Sequence, residues 1–457
     1  MAPSRYLFLW SEIMKAILVP VYFNSADDPE FVSHLEVLKD LLADVVDFQT
    51  PAALGGQIPP TDGVIFPQML GDAYRRLEEF QQLPQPIMVV TSEFGTVSMW
   101  DWEINTYLAA KGVTVIAPNT LEKTKQACRA FALKRQLRQS KFLVYQDQPA
   151  SGGGKQDPIF KRFYWWEPEC IESIEQRFGL KIVKKSFKQL AEDARAIPDA
   201  EAAEVWAERA GKTPTANLTQ RALLSAVKLY MQVKVDLDAD PSILAAGMNC
   251  LNESHFCETT PCLAWNLLYE ERRMIWGCEA DIVSMLTKLL IERTLESPVM
   301  MTNLYPFLMG KAALKHENIP YFPAVEGDPA NYVLAAHCGY FGVVPQSFAT
   351  EWTLRKKVLA IVDENSHAID GRIAEGPLTL VKLTPPFDRW SVIEGTLHKY
   401  AQFENSDCLN GAVIEVPDGP RMVDELVSHH YIFSTGHNLN ALRMVSKVFG
   451  LDILTHD

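Results

Sequence analysis

The stretch from residue 274 to residue 303, MIWGCEADIVSMLTKLLIERTLESPVMMTN, reads as strand, turn, helix and strand. Its first five residues form an apolar, β-rich run that closes at Cys278. Ile282, Met285, Leu286 and Leu289 then recur at the helical period, and 299–303 returns to strand composition. Strand, helix and strand in succession is the repeating unit of a parallel α/β sheet. The same alternation extends in both directions. Upstream, runs at 16–22, 63–66, 87–91, 113–118 and 142–145 are separated by helical patterns such as 29–43 and 101–111. A polar stretch, QDQPASGGGKQDP (146–158), has linker composition. Beyond it come runs at 182–186, 243–248, 274–278, 299–303 and 332–336, with a long helix near 218–233. After Pro345 the runs shorten (357–362, 378–383, 412–416) and are bounded by Gly, Pro and Asp, as in antiparallel or barrel-like structure. The expected fold class is therefore α/β: two doubly wound parallel-sheet domains, 1–160 and 161–345, then a β-rich, barrel-like C-terminal domain, 346–457.

Composition narrows the function. The chain has 457 residues, 47% hydrophobic and 22% charged, which is globular usage and enough for several domains at about 100 to 200 residues each. A net charge of −14 argues against nucleic acid as a partner, because phosphate backbones require a basic footprint. The 8 cysteines are irregularly spaced, with neither a paired zinc pattern nor a disulfide ladder, so a reducing cytoplasm is expected. The longest apolar stretch, 281–301, is broken by Lys288, Glu292, Arg293 and Glu296, so no membrane span is expected. The opening MAPSRYLFLWSEIM lacks the features of a signal peptide, and Met14, directly before a strand-like run, is an alternative start.

In a parallel sheet, ligands bind beyond the carboxyl ends of the strands, so the polar residues after apolar runs are candidates. Four runs end that way: at Glu279 and Asp281, at Asn303, at His337, and at His437 after Ser-Thr-Gly. Carboxylates with imidazole form a ligand set for a divalent ion such as Mn²⁺. Each residue also has a structural reading. Glu279 and Asp281 begin a helix and suit its dipole or its N-cap, and the histidines suit packing or surface positions. SGGGK (151–155) lacks phosphate-loop spacing, and Cys257, Cys262 and His255 lack a second ligand pair for zinc. The aromatic clusters FYWWE (163–167) and WDWE (100–103) suit a core or a subunit contact, and also the face of a sugar ring.

Seven segments, SEFGTVSMWDWE (92–103), RFYWWEPEC (162–170), TTPCLAWNLLYEE (259–271), CEADIVSMLT (278–287), AAHCGY (335–340), EGPLTLVKL (375–383) and STGHN (434–438), resemble, in order along nearly the whole chain, the L-fucose isomerase and L-arabinose isomerase superfamily, especially its fucose-isomerase-like branch. The resemblance implies a three-domain subunit in a homo-oligomer, trimer or hexamer, with active sites near subunit interfaces. It implies reversible aldose–ketose isomerisation of a small sugar with Mn²⁺ or a similar ion. Asp281 and His437 match its metal ligands. The other acid matches Glu258, 23 residues before Asp281, with Glu253 as a competitor; it would ligate the ion or shuttle the proton. Asp281 and Glu258 are thus the catalytic candidates. Asn303 and His337 would bind sugar hydroxyls, and Trp100, Asp101 and Glu103 would reach a neighbouring subunit's site. Such chemistry needs a base beside C1 and C2 and a cation on O1 and O2. Two alternatives stay open: an isomerase of a sulfonated sugar such as sulfoquinovose, using an arginine such as Arg162, Arg272 or Arg372, and a sugar-binding protein without turnover.

Overall fold

The structure, a computed structural model, describes residues 14–94, 99–147, 163–250, 253, 256–314, 319–337, 340–356, 365–403 and 410–456. The N-terminal sheet contains β1 (Ala16–Tyr22), β2 (Val46–Phe48), β3 (Ala52–Ala53), β4 (Gly63–Phe66), β5 (Ile87–Val89) and β6 (Val115–Ile116). Its order is β2-β1-β4-β5-β6, with β3 also on β1, and every pairing is parallel. Its first crossover shows how the sequence builds it. Asp28 accepts from the backbone N–H groups of Glu30 and Phe31, Pro29 opens the helix Pro29–Leu41, and Phe31, Leu35 and Leu38 pack inward.

A second parallel sheet, β11-β10-β7-β8, is made of β7 (Lys141–Tyr145), β8 (Lys181–Lys185), β10 (Ile243–Met248) and β11 (Ile275–Cys278). A small sheet joins β9 (Thr215–Ala216) to β14 (Glu351–Lys356) and β15 (His367–Arg372). The third unit is a closed antiparallel barrel. Its strands are β12 (Val299–Pro306), β13 (Tyr332–Ala336), β16 (Gly376–Leu383), β17 (Arg389–Gln402), β18 (Asn410–Glu415) and β19 (His430–Thr435), in the order β16-β19-β12-β13-β18-β17, closed by pairing of β16 with β17. The last strand, β20 (Asp452–Thr455), runs parallel to β17. Met300, Leu380, Ile393, Ile414 and Phe433 share the core cluster of this barrel.

Several strands change units relative to the sequence reading. The run at 142–145 lies in the second sheet, between β10 and β8, so the first α/β unit ends before it. The runs at 299–303 and 332–336 are β12 and β13 of the barrel, not parallel strands of the second unit. The stretch that reads as a β-α-β repeat therefore crosses from one unit into another. Its helix, Ile282–Leu295, is capped at its end by Glu296 in the left-handed region (φ 51°), and Ser297 and Pro298 lead into β12. Periodicity identifies a strand, but pairing with β19, some 130 residues later in the chain, is set by tertiary contacts. The expected strands at 378–383 and 412–416 are barrel strands, whereas 357–362 and most of 146–158 lie outside the described residues.

The helix Ile282–Leu295 is buried on almost every side, with Met285 packed over Gly247 of β10 and Gly277 of β11. A Cβ at Gly277 would lie 2.5 Å from Met285 Cγ, so only glycine lets the helix approach this closely. Lys288 is carried inside with it. Its ammonium donates to the Trp276 carbonyl (3.0 Å) and sits 3.3 Å from the Trp276 ring centroid, and burial pushes its pKa down to about 7. The N-terminus of this largely buried helix meets the barrel, and the candidate site lies at that junction.

Candidate metal centre

The turn between β11 and the buried helix holds two consecutive residues in the left-handed region, Glu279 (φ 56°) and Ala280 (φ 53°). Neither is glycine, and each such residue costs on the order of 1 kcal/mol or more. Three hydrogen bonds fix the turn. Trp165 and Trp166 both donate their indole N–H to the Glu279 carbonyl (3.1 and 2.9 Å), and the Ala280 N–H donates to Met248 (2.9 Å). The FYWWE cluster is thus largely core, and its two tryptophans clamp a strained turn. That turn aims the Glu279 side chain at the start of β19.

His429 and His430 stand there. Their ring centroids are 4.2 Å apart, and Trp165 stacks on His430 at 5.0 Å. Ligand atoms of Glu279, His429 and His430 all lie within 4.8 Å of one another, so this buried group can hold a metal ion. Two of its atoms, Glu279 Oε2 and His430 Nε2, are buried and have no hydrogen-bond partner among the described residues. Burying such atoms unpaired is costly, and a coordinated cation would satisfy both. His337 Nε2 lies 3.7 Å, and His430 Nε2 3.6 Å, from Glu279 Oε1. Burial opposes ionisation of Glu279, but the neighbouring His430 and His337 outweigh it and hold the carboxyl well below the usual range. Burial, reinforced by His430, pushes the His429 pKa down to about 3, which keeps the ring neutral as a ligand must be.

Asp281 serves a different purpose from its neighbour two residues back. It is the N-cap of the buried helix, with Oδ1 accepting from Ser284 N–H (2.8 Å). Its Oδ2 accepts from Ser284 Oγ (2.6 Å) and Lys382 Nζ (2.8 Å), and lies 2.9 Å from His430 Nδ1. Burial works against its charge, yet Lys382 and His430 together hold it well below the usual carboxylate range. Lys382 comes from β16, so this buried ion pair ties the barrel to the helix.

The other sequence candidates divide. Asn303 lies on β12 in register with His430 of β19 and Ala336 of β13. Its amide donates to Tyr305 Oη (3.1 Å), while its buried Oδ1 has no partner among the described residues. His337 follows β13 and belongs to the group around Glu279. His437 does not come near it. It lies in the exposed turn beyond the other end of β19, where Gly436 takes φ 81°, and its Nε2 is 3.0 Å from the Gly395 carbonyl oxygen. Glu258 also lies elsewhere, paired with Arg221 (3.0 Å) and within 3.5 Å of Ser225 Oγ. Glu253 is buried and accepts from the Asp147 N–H and the Asn249 amide (3.1 Å). Asp101 is buried and Glu103 exposed on the helix Met99–Ala110, while the Trp100 side chain lies outside the described residues. Glu258, Asp281 and His437 are therefore not gathered around one ion, and Asp281 meets His430 instead.

No protein-family model matches the chain, and a search of curated proteins returns no match. No helix among the described residues is long and apolar enough to cross a membrane.

Proposed function

We propose that this chain is a metal-dependent aldose–ketose isomerase that acts on an open-chain sugar through an enediolate. The observation that carries the reading is the group of buried Glu279 and His430 with half-buried His429, in which two ligand atoms lack a hydrogen-bond partner among the described residues, with His337 and Asn303 beside it. Glu279, His429 and His430 would hold the ion. A divalent cation held there, Mn²⁺ in this proposal, would supply Lewis-acid stabilisation of the negative charge that develops on the substrate. His337 would carry the proton between C2 and C1, a step that calls for a group of variable protonation within reach of both carbons. The Asn303 Oδ1, which has no hydrogen-bond partner among the described residues, accepts from a sugar hydroxyl. A homo-oligomer of cytoplasmic subunits, each with two doubly wound sheets, completes the reading.

The test is a panel of aldoses, including deoxy and sulfonated hexoses, incubated with Mn²⁺ in D₂O. Ketose carrying solvent deuterium at the transferred position is the expected product. A chain that contains stoichiometric metal but yields no ketose from any of them is no isomerase of these sugars. A chain that binds sugars without metal is instead a binding protein.

A further inference from the structure

We infer that Asp281 acts on the metal centre through His430, as a positioning residue and not as a ligand. This rests on the centre proposed above and assigns its second carboxylate a role. A carboxylate offers about four lone-pair sites. At Asp281 four donor groups surround them: Ser284 N–H, Ser284 Oγ, Lys382 Nζ and His430 Nδ1, at 2.6 to 2.9 Å. Three of the four converge on Oδ2, the oxygen that faces His430, and leave it no lone pair for an ion, and the Lys382 ammonium at 2.8 Å would repel one.

The same bonds decide what His430 presents. A neutral imidazole carries its proton on one nitrogen and accepts at the other. With Asp281 facing Nδ1, the neutral ring that binds a metal carries its proton there and presents Nε2 towards Glu279, 3.6 Å away. Trp165, stacked on the ring at 5.0 Å with planes 27° apart, prevents it from turning. Lys382 and Ser284 in turn hold the carboxylate still. Outer partners of this kind orient metal-binding imidazoles, and their loss lowers affinity by about 10- to 100-fold.

Co²⁺ titration of the full-length chain, followed by calorimetry and visible absorption, tests this. The wild-type chain is expected to bind one Co²⁺, and Glu279→Gln to bind none. Asp281→Asn should bind about 10- to 100-fold more weakly with an unchanged absorption envelope. Wild-type affinity in Asp281→Asn would make the residue a helix cap alone. Complete loss, or a changed envelope reporting a lost oxygen ligand, would make it a ligand. Either result overturns the proposal. The double variant Asp281→Asn with Lys382→Met, which removes both buried charges, is expected to show the same weakening should the single variant unfold. If it too unfolds, the ¹⁵N shifts of His430 in the wild-type chain, assigned against His430→Gln, decide: protonation at Nε2 alone overturns the proposal. Absence of Co²⁺ binding by the wild type, or full binding by Glu279→Gln, would instead remove the centre itself, and the proposal with it.

Discussion

The two ends of β19 carry histidines in opposite circumstances. At its start, His430 is fully buried between Trp165, Asp281 and Glu279. Past its end, His437 sits exposed in a glycine turn and meets a backbone carbonyl. Seven residues of near-extended chain put them roughly 20 Å apart. A ligand site beyond the carboxyl ends of strands is a property of parallel sheets, where all strands point the same way. It holds for β11, which delivers Glu279 and Asp281. In an antiparallel barrel neighbouring strands point in opposite directions, so whichever end abuts the parallel unit supplies the side chains. For β19 that is the amino end.

The largest effect that would test this difference is on metal content. His430→Gln should leave no stoichiometric ion after dialysis against Mn²⁺ buffer, by elemental analysis, and turnover should fall with it. Retention of a full equivalent by that variant would show that the ion, if any, sits elsewhere.

Next in size is the charge that joins the two units. Lys382→Met leaves Asp281 ionised and buried with its cation gone, which should cost about 3–5 kcal/mol in urea unfolding. A loss below about 1 kcal/mol would mean that Ser284 and His430 alone satisfy the carboxylate.

Much of the architecture was legible in the sequence. Alternating apolar runs and helical periods announced the parallel units, and the short Gly- and Asp-bounded runs announced a β-rich end. Glu279 and Asp281 were visible as the polar close of an apolar run. His429 and His430 were not, although two consecutive histidines in a chain with 10 are a signal in themselves. His429 precedes its strand and His430 opens it, and the rule that ligands gather after strands passes over both. The placement of 299–303 in the barrel was hidden for a related reason. A strand's composition reflects how far it is buried and says little about which strand it joins.

The amino end of β19 should also respond to pH. His429 stays neutral in the fold down to about 3, whereas in the unfolded chain it takes up a proton near 6.5. Between those values the unfolded state binds more protons, so stability contributed by the neutral ring is full above about pH 6.5 and falls on acidification. The slope is at most about 1.4 kcal/mol per pH unit for one proton. Urea midpoints of the metal-free chain at pH 7 and pH 5 should differ, and less so in His429→Gln. Identical slopes in the two proteins would remove His429 as the cause.

The smallest effect belongs to the carboxyl end. His437→Ala removes one hydrogen bond to the Gly395 carbonyl from an exposed turn, and a neutral bond of that kind contributes about 0.5–1.5 kcal/mol. The turn has other supports. Thr379 Oγ donates to the Gly436 carbonyl (2.7 Å) and accepts from Asn438 N–H (2.9 Å), and Glu394 accepts from Leu439 N–H (2.8 Å). The variant should therefore fold, lose at most that amount in urea, and bind Mn²⁺ and Co²⁺ as the wild type does. Its metal affinity is the discriminating quantity, because the family resemblance makes His437 a ligand and the geometry places it beyond the far end of the strand. A loss of metal binding in His437→Ala at unchanged stability would reverse the comparison and return the centre to the glycine turn.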